Sequence, residues 1–464
     1  MMFYDDFLKA FAFEATSCQD RFFRAVSDFL SSDDGDILVV NGYAGTGKTS
    51  AVSAVINSLI SRGFHCTLLA PTGRAAKVLS QISGHKASTI HKGIYRQKSV
   101  GEYGRGEFTL SPNKAKHCLF VVDEASLIGV DSSSLAAFGS GNLLSDLVTF
   151  VRSGEDCRLM LIGDSAQLPP VGMEESPALD PSCMDAFGGV SYVELSTVVR
   201  QGEMSGILKN ATDLRLNLDA GRLALKTKGY EDVQCISGSE LIEALSDAYG
   251  TYGDDQTIVV CRSNRKAIRY NLGIRSMVEY KEEKLLRGDK LMVVKNCYQF
   301  VDENSPMGYI ANGDVAILEK ISDFEQRYGL HFANATLSFP DYDNETIRAK
   351  VLLDTLESEN AALSTEQQNA LFEGVSEDYS HIRTKAKRYR EIREDPYYNA
   401  LQLKYASALT CHKSQGGQWD CVFIDCPFWE EELSRDDLKW MYTAITRAVK
   451  KLYLVNFNKN YLDD

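Results

Sequence analysis

No two cysteines are spaced as C-x-x-C, and none of the eleven falls in a Cys/His cluster of metal-ligand spacing. An odd, scattered set argues against a disulfide framework and against a zinc site, and fits a reducing compartment. No apolar run is long enough to span a bilayer, and the opening "MMFYDDFLKAFAFEAT" has acidic residues where a secretion leader needs basic ones. A cytoplasmic protein with no membrane contact is expected. There is no Pro- or Ser-rich linker, no low-complexity tract and no repeat of fixed period. Positive charge is also short: 50 Lys and Arg against 64 Asp and Glu leave a formal charge of -14. Such a chain repels a polyphosphate lattice at long range, so any nucleic-acid contact has to be confined to a local channel.

What is present is an ordinary globular balance, 44% hydrophobic and 25% charged, over 464 residues, which is enough for two to four domains. Short apolar runs recur at 37–40 (ILVV), 66–70 (CTLLA), 118–123 (CLFVVD) and 158–164 (RLMLIGD). Several are separated by helix-length stretches, the pattern of buried parallel strands in an α/β domain. A second series follows at 257–261, 400–410, 421–425 and 451–455. Two α/β units in tandem are expected, the first over 1–92 and 117–194, the second over 195–285 and 401–464. Two insertions interrupt them. Residues 93–116, with a Gly-rich centre at Tyr103 to Gly106, read as a small β-hairpin. Residues 286–400 read as a small β-barrel with a helical segment.

The stretch "GYAGTGKT", Gly42 to Thr49, matches G-x-x-x-x-G-K-[ST], with an apolar strand before it and a helix-compatible run after it. Backbone N–H groups from Gly42, Ala44, Gly45, Thr46, Gly47 and on through Ser50 suit a polyphosphate. Lys48 neutralises its terminal charges, and the Thr49 hydroxyl can ligate Mg²⁺. "LFVVDEAS" delivers Asp123 and Glu124 at the carboxyl end of a buried strand, where ligands of open α/β sheets sit. Asp123 can hold the magnesium shell and Glu124 can take a proton from an attacking water, so hydrolysis of ATP with Mg²⁺ is the expected chemistry. "LIGDSAQLPPVG" ends another strand with Asp164 and Gln167, and Gln167 is placed to sense the terminal phosphate.

Taken in order, "GYAGTGKT", "APTGRAAK", "STIHK", "VVDEAS", "GDSAQLPPVG", "VVRQ", "TCHKSQGGQWD" and "YTAITRA" resemble superfamily 1 DNA helicases of the RecD and Dda-like type, from Gln19 to Ala448. The resemblance implies an α/β fold of two tandem RecA-like P-loop domains with small β-rich and helical insertions. It also implies an ATP-driven motor that moves 5′ to 3′ on single-stranded DNA and opens duplex junctions. By the same resemblance Gln19 reads adenine, while Arg200 and Arg447 act as arginine fingers on the γ-phosphate. A guanidinium that arrives only when the site closes would tie hydrolysis to motion.

Pro71 and Thr72 sit at a strand-to-helix turn where N–H groups and a hydroxyl can meet a DNA phosphate. Thr89, His91, Thr410, His412, Lys413 and Ser414 are assigned to DNA by resemblance. Tyr298 and Phe300 are aromatic residues able to stack on bases or to pack in a core. Lacking the long N-terminal extension of the largest RecD-type proteins, the chain is expected to be a stand-alone, monomeric motor that meets replication or repair proteins. Two other functions are compatible with the same residues: a DNA-stimulated ATPase switch or loader that does not unwind, and a P-loop phosphotransferase acting on a small molecule. Phosphate contacts alone do not separate DNA from RNA.

Overall fold

The computed structural model describes residues 3–32, 34–100, 106–129, 139–199, 205–297, 299–301, 305, 307 and 309–463, with backbone alone for 97–100, 106–107 and 386. Arg200 and Tyr298 lie outside the described residues. The chain forms two compact units, one of Met1–Arg96, Thr109–Gly238 and Ser414–Asp464, the other of Gln97–Phe108 and Ser239–Lys413. This division follows packing. The lobes expected from the sequence follow strand order, and the two schemes differ over 195–238 and 414–464.

The first unit is built on a six-stranded sheet in the order Ala87–Thr89, His65–Ala70, Cys118–Val122, Arg158–Gly163, Ile37–Gly42, Val190–Leu195. Every pairing in it is parallel. Its central strands are continuous apolar runs because helices cover both faces of a parallel sheet. Lys48–Ser61 and Ser17–Ser31 pack Val52, Val55, Leu59, Phe22 and Val26 against Leu38, Val40, Val121 and Ile162. A further parallel set joins Trp419–Asp425, Ala448–Val455 and Val233–Ile236, with the helix Arg435–Ile445 connecting the first two of these strands in sequence.

In the second unit, Thr257–Cys261 pairs in parallel with Ala408–Thr410, and five strands, Lys290–Val293, Val315–Arg327, Leu330–Phe339, Glu345–Leu352 and Leu401–Tyr405, close into a barrel. Helices Thr365–Asp378 and Lys385–Glu394 intervene between the last two strands. The run 400–410, read from the sequence as one strand, is therefore divided. Residues 401–405 belong to the barrel and 408–410 to the parallel pair. Buried Asn271 makes the break tolerable. Its amide donates to the carbonyls of Ala408 (2.9 Å) and Tyr405 (3.3 Å), and its carbonyl accepts from the Ala408 N–H (2.8 Å). Polar backbone that a continuous ladder would have paired is satisfied by one side chain. Tyr95–Val100 and Gly106–Leu110 form a separate two-stranded sheet. Among the described residues no helix is long and apolar enough to cross a membrane.

The barrel holds a buried acid, Asp314, whose carboxylate accepts from the Ala311 N–H (2.7 Å) and the Tyr342 hydroxyl (3.1 Å). Burial nevertheless dominates and pushes its pKa up to about 7. A group that binds its proton more tightly when folded stabilises the fold fully below the unfolded pKa, and that contribution is lost as pH rises through the folded one. Stability should therefore fall between about pH 4 and pH 7, by on the order of 4 kcal/mol from this group alone. Asp314→Asn is expected to remove that slope. In urea titrations the variant should be more stable than the parent at pH 8 and no more stable at pH 4. Parallel curves for the two proteins would refute the assignment.

Candidate nucleotide site

Three backbone requirements shape the phosphate loop between Ile37–Gly42 and Lys48–Ser61. Gly45 and Gly47 adopt φ of +75° and +70°, left-handed values that L-residues avoid. At Gly42 a β-carbon would stand 2.7 Å from Cδ of Lys48, so the lysine stem lies directly across the glycine. Thr46, fully buried, ties the loop to itself by donating from its hydroxyl to the Tyr43 carbonyl at 2.8 Å. The N–H groups at the start of Lys48–Ser61, including those of Thr49 and Ser50, have no intrahelical acceptor and form an anion-binding end.

Gln19 closes the loop from behind. Its side chain completes a capping box with Thr16 at the start of Ser17–Ser31, and its amide donates to the Thr46 carbonyl at 2.9 Å. A β-carbon on Gly47 would fall 2.6 Å from that amide nitrogen. The structure thus places Gln19 on the phosphate loop itself.

Asp123 and Glu124 leave the sheet after Cys118–Val122. The Asp123 carboxylate accepts from the Glu124 N–H at 2.9 Å, and Glu124 takes a left-handed backbone, φ +53°. Burial pushes the Asp123 pKa up to about 6, with Lys48 opposing and Glu124 reinforcing the shift. Asp164 is raised for the same first reason and is likewise held down by Lys48. One carboxylate oxygen of Glu124 and the amide oxygen of Gln167 are buried without a hydrogen-bond partner. Acceptors left without a partner beside two half-buried carboxyl groups can take a hydrated cation and an attacking water, and the Thr49 hydroxyl and Asp123 carboxylate are oxygen donors of the kind that fits a magnesium shell.

The helix Arg435–Ile445 is bound to this site by side chains that the sequence patterns did not single out. The Tyr442 hydroxyl, on a side chain only 1% exposed, donates to Asp164 at 2.6 Å and accepts from the Ala44 N–H of the phosphate loop at 3.0 Å. Thr443 accepts from the Leu168 N–H at 2.8 Å, and the Gln415 amide donates to the Leu168 carbonyl at 2.7 Å. Lys439, also 1% exposed, donates to Glu175 at 2.6 Å. Gln167 is thereby held in a loop gripped on both sides. The sequence carried a partial signal, since Tyr442 opens the block "YTAITRA" that also holds Arg447; Glu175 had none.

Arg447 itself is buried. Its guanidinium donates to the carbonyls of Thr443 (3.0 Å) and Gly417 (3.1 Å) and to the Thr446 hydroxyl (3.1 Å).

Of the residues assigned to nucleic acid, Pro71, Thr72, Thr89, His91 and Ser414 belong to the first unit, and Thr410, His412 and Lys413 to the second. Thr72 and Thr89 cap helices, their hydroxyl oxygens accepting from the N–H groups of Ala75 (3.2 Å) and Lys92 (3.3 Å). Each hydroxyl hydrogen stays available to a phosphate. The His91 ring lies 5.7 Å from that of Tyr95. Burial lowers the pKa of both His412 and Lys413, with Arg262 adding to the effect on His412.

Tyr442→Phe strands Asp164 and the Ala44 N–H together. The expected cost is about 1–3 kcal/mol in urea unfolding, because Asp164 is buried and Ala44 half-buried. In a double-mutant cycle with Asp164→Asn the two changes should be non-additive by at least about 0.5 kcal/mol; strict additivity would show that the bond carries no energy.

Residues 23–240 match a family model described as an AAA domain, and residues 405–455 one described as a UvrD-like helicase C-terminal domain. The ATP-dependent RecD2 DNA helicase of Deinococcus radiodurans is 27% identical over 290 residues, 61% of this chain and 37% of that protein. The chain thus spans well under half of that relative. The ATP-dependent DNA helicase dda of Enterobacteria phage T4 is 24% identical over 453 residues, covering 90% of this chain and 94% of the phage protein. Among solved structures, a Pif1 helicase from Bacteroides in complex with ADP-AlF3 and ssDNA superposes over 97% of this chain and 94% of its own, with TM-score 0.50 and 16% identity. That likeness shows the fold, a mixed α/β architecture with two RecA-like domains. With the phosphate loop, the acid pair and the "YTAITRA" helix assembled as described, these matches support a superfamily 1B helicase of the RecD-, Dda- and Pif1-like group.

Proposed function

We propose that the protein is an ATP-dependent DNA helicase that moves 5′ to 3′ along single-stranded DNA and separates duplex at junctions, working as a cytoplasmic monomer alongside replication or repair proteins. The observation that carries this reading is the tie from the phosphate loop to the "YTAITRA" helix. Ala44, Asp164 and Tyr442 form one hydrogen-bonded chain, so a change at the nucleotide can be felt by the helix that ends just before Arg447.

In this mechanism the loop N–H groups and Lys48 hold the β- and γ-phosphates. Thr49 and Asp123 would hold Mg²⁺, which supplies charge neutralisation at the phosphoryl oxygens when bound. Glu124, with its free oxygen, accepts the proton of the attacking water. Gln167 orients that water or the terminal phosphate. Arg447 is held by three neutral oxygens, and a triphosphate is a stronger acceptor than any of them. Its transfer to the γ-phosphate, joined by Arg200, would couple turnover to displacement of the helix. Gln19 would read the adenine edge. The Thr72, Thr89, His91, Thr410, His412, Lys413 and Ser414 set would grip the DNA backbone together with the turn at Pro71.

ATP hydrolysis should rise with single-stranded DNA, and a 5′-tailed duplex should be opened in preference to a 3′-tailed one. Lys48→Ala should abolish both activities. Arg447→Ala should lower kcat by about 10³-fold, the usual scale for an arginine finger. Turnover indifferent to DNA would point to a small-molecule phosphotransferase, and stimulated turnover without strand displacement to a switch or loader.

A further inference from the structure

The chain leaving the edge strand Val190–Leu195 runs alongside the phosphate loop, and two backbone hydrogen bonds join them. The Tyr43 N–H donates to the Leu195 carbonyl at 3.2 Å, and the Val199 N–H donates to the Gly45 carbonyl at 3.0 Å. Ser196 lies between the two bonded residues of that segment. Its carbonyl accepts from both terminal nitrogens of Arg215, at 3.3 and 3.4 Å. The same guanidinium stands over the Tyr43 ring, 4.2 Å from its centroid. One half-buried side chain therefore holds both members of the backbone pairing that fixes residues 43–45.

Arg215 sits in the last turn of the helix Gly206–Leu216. An arginine there ordinarily answers the free carbonyls and the dipole of its own helix. This one reaches a carbonyl 19 positions upstream, and its helix is anchored so as to deliver it. Asp232 holds the N-terminus, accepting from the Ser205 hydroxyl (2.6 Å) and from the N–H groups of Gly206 (2.9 Å) and Ile207 (3.3 Å). Buried Asn210 fixes the middle, donating to the Lys226 carbonyl (2.8 Å) and accepting from the Lys226 N–H (2.7 Å). Leu208, two helical turns before Arg215 and so on the same face, meets the loop directly. A β-carbon on Gly45 would stand 3.0 Å from its Cδ2.

Tyr43 carries the contact onward. Its hydroxyl accepts from the Asn41 amide at 3.0 Å, and the Asn41 carbonyl accepts from the Ser165 N–H at 3.0 Å. Ser165 directly follows Asp164, the partner of Tyr442, and Tyr442 returns to the loop at Ala44. Residues 43 and 44 are thus held by a closed circuit of side chains, which Arg215 joins at the Tyr43 ring. A planar guanidinium can lie on an aromatic face while its edge donates to a carbonyl; an ammonium meets one partner or the other.

We propose that Arg215 is a positioning residue for ATP binding: it holds Tyr43 and the segment 195–199 as one piece, so that the phosphate loop is ordered before the triphosphate arrives. The segment it holds continues directly into Arg200. The proposal rests on the reading of the chain as an ATP-driven motor and adds to it a cation outside the sequence blocks that carry that reading. A loop that is competent only part of the time binds with an affinity reduced by that fraction, while the bound complex reacts as before. Loss of Arg215 is therefore felt in KM ahead of kcat.

The test is steady-state ATP hydrolysis by the full chain in the presence of single-stranded DNA. Arg215→Ala should raise KM for ATP about fivefold, the scale of a partly buried cation–π contact, and change kcat by less than about twofold. Arg215→Lys, which keeps a cation but can meet only one partner, should recover part of the lost affinity. Tyr43→Leu should raise KM at least as much as Arg215→Ala, and combining the two should add less than about a further twofold, because the contact is already broken. A parental KM in Arg215→Ala, with the parent hydrolysing ATP, overturns the role of Arg215 and leaves the motor reading standing. A fall in kcat that follows a lower thermal midpoint at unchanged KM marks an arginine that serves the fold alone and overturns it too, as does a full second rise in the combined variant. A parent chain that turns over no ATP removes the motor reading together with this one.

Discussion

Lys48 is the cation on which the first unit turns. It lies across Gly42 and is the leading influence opposing burial at two acids, Asp123 and Asp164, with Glu124 adding a third carboxyl group. One ammonium among three carboxyl groups, Asp164 buried and Asp123 and Glu124 half-buried, leaves the site short of positive charge. Burying uncompensated charge is expensive, and proteins keep such an arrangement where a ligand completes it. Burial and the neighbouring Glu124 both act on Asp123, whose pKa is raised, and a bound cation would relieve the shortage of positive charge.

The helix Arg435–Ile445 is the second constraint. Its Lys439, Tyr442 and Thr443 recur at helical spacing on one face and meet Glu175, Asp164 with Ala44, and Leu168 respectively. A rigid element anchored at three points along about one turn moves as a body. Arg447, just beyond its end, takes its position from that body. Hydrogen bonds to three neutral oxygens hold the guanidinium without neutralising it.

A protein of net charge -14 that acted on a polyanion would have to localise its attraction. Four of the eight residues proposed for the DNA track, Thr72, Thr89, Thr410 and Ser414, carry hydroxyls, which would bind without a strong long-range field.

The amino-acid sequence by itself determined whatever is local along the chain. The phosphate loop is eight consecutive residues whose glycines answer to backbone conformation, the buried parallel strands announce themselves as apolar runs, and Asp123 and Glu124 follow one such run directly. Tertiary structure decided what joins distant residues. Tyr442 meets Asp164 across 278 positions, Glu175 finds Lys439 across 264, and the run 400–410 divides between barrel and parallel pair because Asn271, far upstream, satisfies the backbone at the break. Hydrogen bonds of that reach leave no period and no motif in a single sequence, since each is created only when the packing of apolar faces brings its two ends together.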